Sequence, residues 1–106
     1  MQVKEITGPE YYETYSKTND LYVLVFHAVW CPPCKMFKIT LDELTEKNNI
    51  PVYRVDVDGS DNTKIKNEFQ VTSMPTWFIF KEGKMVQHGL GYLPYPAFIK
   101  EVEKHL

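Results

Sequence analysis

The amino-acid sequence predicts an α/β protein with a central mixed sheet of four to five strands and helices on both of its faces. Three observations carry this expectation. Residues 21–26 form an unbroken apolar run, the mark of a strand covered on both faces. Around that run, strand-type and helix-type patterns alternate, which favours parallel strands joined by helical crossovers. Further on, residues 76–80, the Glu82-Gly83 turn and residues 84–88 read as a hairpin, which adds antiparallel strands.

The elements follow in order. Residues 3–6 make a short strand. Thr7-Gly8-Pro9 is a helix-start signal with Pro9 as the first helical residue, and Tyr11, Tyr12 and Tyr15 carry helical spacing up to Lys17. After the 21–26 strand, Phe37, Leu41 and Leu44 lie four and three apart and define a helix beyond Cys31. Pro51 introduces a strand over residues 52–57. Residues 62–69 form a helix with Ile65 and Phe69 on one face, and Phe98, Ile99 and Val102 form the inner face of the last helix.

At 106 residues the chain suits one domain, residues 1–106, with a core that needs no disulfide staple. The net charge of −2 gives no reason to expect nucleic acid or an anionic membrane surface as a partner. No apolar run approaches the roughly 18 residues of a membrane span, and residues 1–5 lack the apolar stretch of a signal peptide. The expectation is therefore a cytoplasmic protein. In that compartment structural disulfides are rare, so two cysteines three positions apart point to redox chemistry or metal binding. Zinc wants four ligands, and beyond the cysteines only His27, His88 and His105 are available, so no metal site is assigned.

Disulfide exchange needs one thiolate that attacks and a second thiol that resolves the mixed disulfide. In Trp30-Cys31-Pro32-Pro33-Cys34-Lys35, Cys31 stands at a helix start, where the dipole and free N–H groups favour negative sulfur. Cys34 follows about one turn later, within reach. Cys31 is thus the expected nucleophile and Cys34 the resolving thiol. With Cys31 as N-cap, Pro32 and Pro33 offer no N–H, so the first donor able to reach the Cys31 sulfur is that of Cys34. Because Pro33 disfavours a helical Pro32, regular helix is expected from Pro33 onward. Lys35 adds a positive charge that is either solvated or acts on the thiols. Trp30 reads as a partly exposed aromatic lid against which substrates pack.

The run from Ala28 to Met36 joins several other segments: Val55-Asp56-Val57-Asp58, Phe69-Gln70-Val71-Thr72-Ser73-Met74-Pro75-Thr76, Phe80-Lys81-Glu82-Gly83-Lys84 and Leu90-Gly91. Together they resemble the thioredoxin family over nearly the whole chain. The resemblance implies a thioredoxin fold and a cis bond before Pro75. It implies that Met74 and Pro75 stand beside Cys31, with the Met74 backbone pairing with an extended substrate. It implies an apolar, substrate-binding rim of Trp30, Val57, Met74, Leu90 and Gly91. The implied cycle reduces protein disulfides, recharges the pair from a flavin-dependent thioredoxin reductase, needs no cofactor bound to this chain, and is run by a monomer.

The chain departs from the family pattern at Val25, where the family commonly buries an aspartate that accepts the resolving thiol's proton. Arg54 stands where that aspartate's lysine partner often is, so water or His27 must take the proton. His27 replaces an aromatic residue. It reads either as a group titrating with the thiols or as a half-buried strand-end histidine bonded to backbone. Pro32 replaces the usual glycine. The leading function is a general protein-disulfide reductase. Its rivals are an oxidant or isomerase of the same fold, and a binding subunit of a larger assembly in which redox activity is incidental.

Overall fold

The computed structural model describes residues 1–106. In chain order its elements are β1 (Lys4–Glu5), α1 (Gly8–Glu13), β2 (Tyr22–His27), α2 (Pro32–Asn48), β3 (Val52–Asp56), α3 (Thr63–Glu68), β4 (Thr76–Lys81), β5 (Lys84–Leu90) and α4 (Tyr95–Glu103). Single 3₁₀ turns occupy Tyr15–Lys17 and Ser60–Asn62. The strands form one five-stranded sheet in the order β1-β3-β2-β4-β5. β3 runs parallel to both β1 and β2, and β4 runs antiparallel to both β2 and β5.

Every residue of β2 is buried, as its continuous apolar run requires. Side chains alternate along a strand, so Tyr22, Leu24 and Phe26 face one apolar cluster and Val23 and Val25 the other. The first cluster is closed by Tyr11 of α1 and Ile65 of α3, the second by Phe37, Leu41 and Leu44 of α2 with Phe98 and Val102 of α4. Helices therefore cover both faces. Within the sheet, the indole of Trp77 lies over its cross-strand neighbour Gly89, where an added Cβ would collide with the ring.

The fold class stands as the sequence predicts it, while several boundaries shift. The first strand keeps only two paired residues, and α1 begins at Gly8 rather than Pro9 because Thr7 caps it. Thr7 Oγ1 accepts from Glu10 N at 3.2 Å, and Glu10 Oε1 accepts from Thr7 N at 2.8 Å. The tyrosine-bearing helix breaks at Thr14 and tightens to 3₁₀, so it does not run evenly to Lys17. Strand ends follow pairing rather than local pattern. β2 starts at Tyr22 and takes in His27, which registers with Asp56; β5 extends to Leu90, which registers with Thr76. Residue 57 falls outside β3, α3 shortens to Thr63–Glu68 behind its 3₁₀ turn, and Ile99 is only half-buried.

Phe98 is fully buried and packs edge-on against Phe37 and Trp77, each at a centroid separation of 5.0 Å. Its truncation leaves a cavity between α4 and the sheet. Phe98→Ala is expected to lower unfolding free energy by about 3–5 kcal/mol, read from urea midpoints at unchanged slope.

Candidate active site

β2 ends at His27, and a four-residue turn delivers Cys31 to the N-cap of α2. Cys31 N donates to Ala28 O at 3.2 Å, which closes that turn. Pro32 and Pro33 are exposed and contribute no N–H. The Cys34 N–H donates to Cys31 Sγ at 3.3 Å, and Lys35 N donates to Cys31 O at 3.2 Å. Helix begins at Pro32, one residue earlier than the sequence suggests. Proline's fixed φ is already helical and its missing donor costs nothing in the first turn. With the cap bond and the Lys35 bond, that outweighs the pre-proline restriction on Pro32. The two sulfurs are joined as a disulfide, with Cα atoms 5.2 Å apart, and both residues are buried.

The Met74–Pro75 bond is cis, and Met74 O lies 3.7 Å from Cys31 Sγ. Gly91 N donates to Pro75 O at 2.7 Å, which ties the end of β5 to this loop; the positive φ of 87° suits glycine there. No backbone–backbone hydrogen bond uses Met74; its C=O faces Cys31 Sγ and its N–H has no backbone partner, which leaves that N–H for a partner strand. Around the pair, Trp30 is 63 % and Leu90 67 % exposed, far more than large apolar side chains of a core would be. Trp30 Nε1 donates to Asp58 Oδ2 at 2.7 Å, which holds the indole as a lid at the surface. Val57 is buried in the cluster that contains both cysteines and so forms floor rather than rim, while Met74 is half-buried against the same cluster.

Val25 is fully buried among apolar side chains, in the cluster opposite the one that holds the cysteines. In register across the sheet from it lie Arg54 on β3 and then Glu5 on β1. His27, two residues along on the same face, is 5 % exposed and pairs with Glu5, its Nε2 lying 2.8 Å from Glu5 Oε1. The histidine is thus more buried than the sequence suggests, and its side chain engages a carboxylate instead of backbone. Arg54 Nε donates to the other Glu5 oxygen. Burial pushes the Glu5 carboxyl up, but hydrogen bonds from His27 and Arg54 outweigh this and hold it below the ordinary carboxylate range. A cleft of about 260 Å³ opens beside these groups, lined by His27, Ala28, Val29, Cys34, Lys35 and Arg54. A larger cleft of about 640 Å³ lies between α3 and the β4–β5 hairpin, meets the rim only at Leu90, and is lined by neither cysteine.

The fold thus brings Trp30, Cys31, Cys34, Val57, Met74 and Pro75 together around the start of α2, with Gly91 tied to Pro75, while Val25 lies within β2 in the opposite apolar cluster. Two partners escaped the sequence reading. Glu5 lies 49 positions from Arg54 and Asp58 lies 28 from Trp30, and no local pattern links either pair.

Comparison with known proteins agrees with this geometry. The thioredoxin family model matches residues 2–104. The chain is 34 % identical over 92 residues to the thioredoxin of Bacillus subtilis, covering 86 % of this chain and 88 % of that one. It is 32 % identical over 106 residues to the chloroplastic thioredoxin Y of Oryza sativa subsp. japonica, covering the whole of this chain and 63 % of the rice protein. The crystal structure of thioredoxin NaTrxh from Nicotiana alata superposes with a TM-score of 0.84 at 28 % identity, covering 98 % of this chain and 92 % of that one.

The Glu5 pairing has a pH signature. A carboxyl held low in the folded state stabilises above its unfolded range and loses that contribution as pH falls through its folded value. Glu5 is half-exposed, so the effect is at or below about 1 kcal/mol. Between about pH 5 and pH 3, the wild type is expected to lose more stability than Glu5→Gln, as read from urea midpoints.

Proposed function

This chain belongs to the thioredoxin family and is a thiol–disulfide oxidoreductase; from that premise we propose that it reduces protein disulfides and takes its electrons from a thioredoxin reductase. The observation that carries the proposal is the Cys31–Cys34 pair at the start of α2, with Met74 O 3.7 Å from the Cys31 sulfur and no backbone–backbone hydrogen bond at Met74. A protein disulfide sits in an extended or looped segment. Such a segment can add to the Met74 backbone in strand fashion and rest on Trp30 and Leu90.

Cys31 is the attacking sulfur. It lies beside the Met74 carbonyl, and the Cys34 N–H, with the helix dipole behind it, stabilises its thiolate. Attack on a substrate disulfide forms a mixed disulfide with Cys31 and expels the other substrate thiolate. Cys34 then attacks Cys31 Sγ, the Cys31–substrate bond breaks, and the Cys31–Cys34 disulfide forms. Two electrons from the reductase restore the dithiol, and the flavin needed for that step belongs to the reductase. The proposal extends to a monomer working in the cytoplasm, where a reductase of this kind is kept charged.

Insulin reduction driven by dithiothreitol, followed by turbidity, tests this reading. The wild type is expected to shorten the onset of precipitation. Cys31→Ser should return it to the uncatalysed rate, and Cys34→Ser should accumulate a covalent adduct through Cys31 that mass spectrometry detects. Unchanged rates in both variants would refute the assignment.

A further inference from the structure

Disulfide exchange at this site must take a proton off Cys34 in every turn. A thiol of ordinary acidity is mostly protonated at neutral pH, yet the resolving sulfur must attack as thiolate. Val25 cannot accept that proton. Of the side chains lining the cleft against Cys34, Lys35 and Arg54 are cationic and Ala28 and Val29 are apolar, which leaves His27 as the one whose neutral form has a basic nitrogen to accept it.

The partner of His27 fixes which nitrogen is available. Glu5 is ionised, and its Oε1 lies 2.8 Å from His27 Nε2, so the neutral imidazole carries its proton on Nε2 and its lone pair on Nδ1. Arg54 holds the second Glu5 oxygen and so anchors the carboxylate. The cleft of about 260 Å³ that His27 and Cys34 share has room for bridging water, which takes about 30 Å³ per molecule. The other charged groups facing His27 are Lys35, which is exposed on α2, and Asp56, its register neighbour on β3, whose Oδ1 accepts from Asp58 N at 2.9 Å. β4 contributes no titratable group, since its residue nearest in register is Thr76.

Resting on the disulfide-reductase reading above, we propose that His27 is the proton acceptor for Cys34, with Glu5 as its positioning residue. The step balances. The Cys34 thiol gives its proton across the cleft to His27 Nδ1, the Cys34 sulfur bonds to Cys31 Sγ, and the Cys31–substrate bond breaks with its electron pair leaving on the substrate sulfur. The substrate disulfide is thereby reduced and the cysteine pair oxidised. The imidazolium, stabilised by Glu5, then returns its proton to solvent or to the departing thiolate. The arrangement places the carboxylate at the sheet edge and uses an imidazole to reach inward, so no unpaired charge enters the apolar cluster around Val25.

The test separates the two halves of the exchange. Reduced protein mixed with 5,5′-dithiobis(2-nitrobenzoate) releases one thionitrobenzoate when Cys31 attacks and a second when Cys34 resolves, and stopped-flow absorbance resolves the two steps. His27→Gln keeps a donor for Glu5 but loses the base. It is expected to leave the first step in place, to slow the second about 10²-fold, and to alter that step's pH profile. Glu5→Gln is expected to slow the second step about tenfold. In the reduced wild type, nitrogen-15 NMR should find His27 protonated on Nε2 and bare on Nδ1, a reading that needs no variant to fold. A second step unchanged in rate and pH profile by His27→Gln, or a proton found on Nδ1, would overturn the inference while leaving the reductase reading intact. A wild type that releases no thionitrobenzoate would overturn the reductase reading itself, and this inference with it.

Discussion

The hydrogen bond from Cys34 N–H to Cys31 Sγ is the contact on which the site depends. A helix normally opens with several unpartnered donors near its cap. Here Pro32 and Pro33 remove the first two, so a single N–H within reach of the capping sulfur remains, and it belongs to the second cysteine. The bond brings the two sulfurs together and favours negative charge on the first by about 2 kcal/mol, the scale of a charge-assisted hydrogen bond. The prolines also restrict the turn in the unfolded chain, which lowers the entropy lost in forming it.

The sheet sets what surrounds that bond. β2 carries the turn out of the core, and β4 brings Met74 and Pro75 in from the antiparallel side. On the parallel side, β3 and β1 place Arg54 and Glu5 beside the strand end that bears His27. One edge of the disulfide therefore meets an apolar collar with an open backbone, and the other meets a cleft lined by ionisable groups. The two sides divide the work, with substrate held in front of the pair and protons handled behind it.

Much of the fold was legible because its signals are local. The apolar run of β2, the helical spacing of Phe37, Leu41 and Leu44, and the Glu82-Gly83 turn each depend on a few neighbouring residues. So does the cap, which follows from Cys31, Pro32, Pro33 and Cys34 alone. Strand ends were less legible because pairing sets them: His27 joins β2 through Asp56, and Leu90 joins β5 through Thr76. The partner of His27 could not be read from the sequence. Glu5 reaches it only because β1 docks beyond β3, a placement that no pattern within residues 1–27 encodes.

The central claim is that Cys31 and Cys34 form a dithiol that reduces other disulfides. Equilibration of the pair with defined glutathione mixtures, read as the fraction oxidised, tests it most directly. The account predicts a reducing potential, near the level of about −270 mV that is general to thioredoxins. A potential near about −120 mV, the level of a dedicated oxidant, would contradict it.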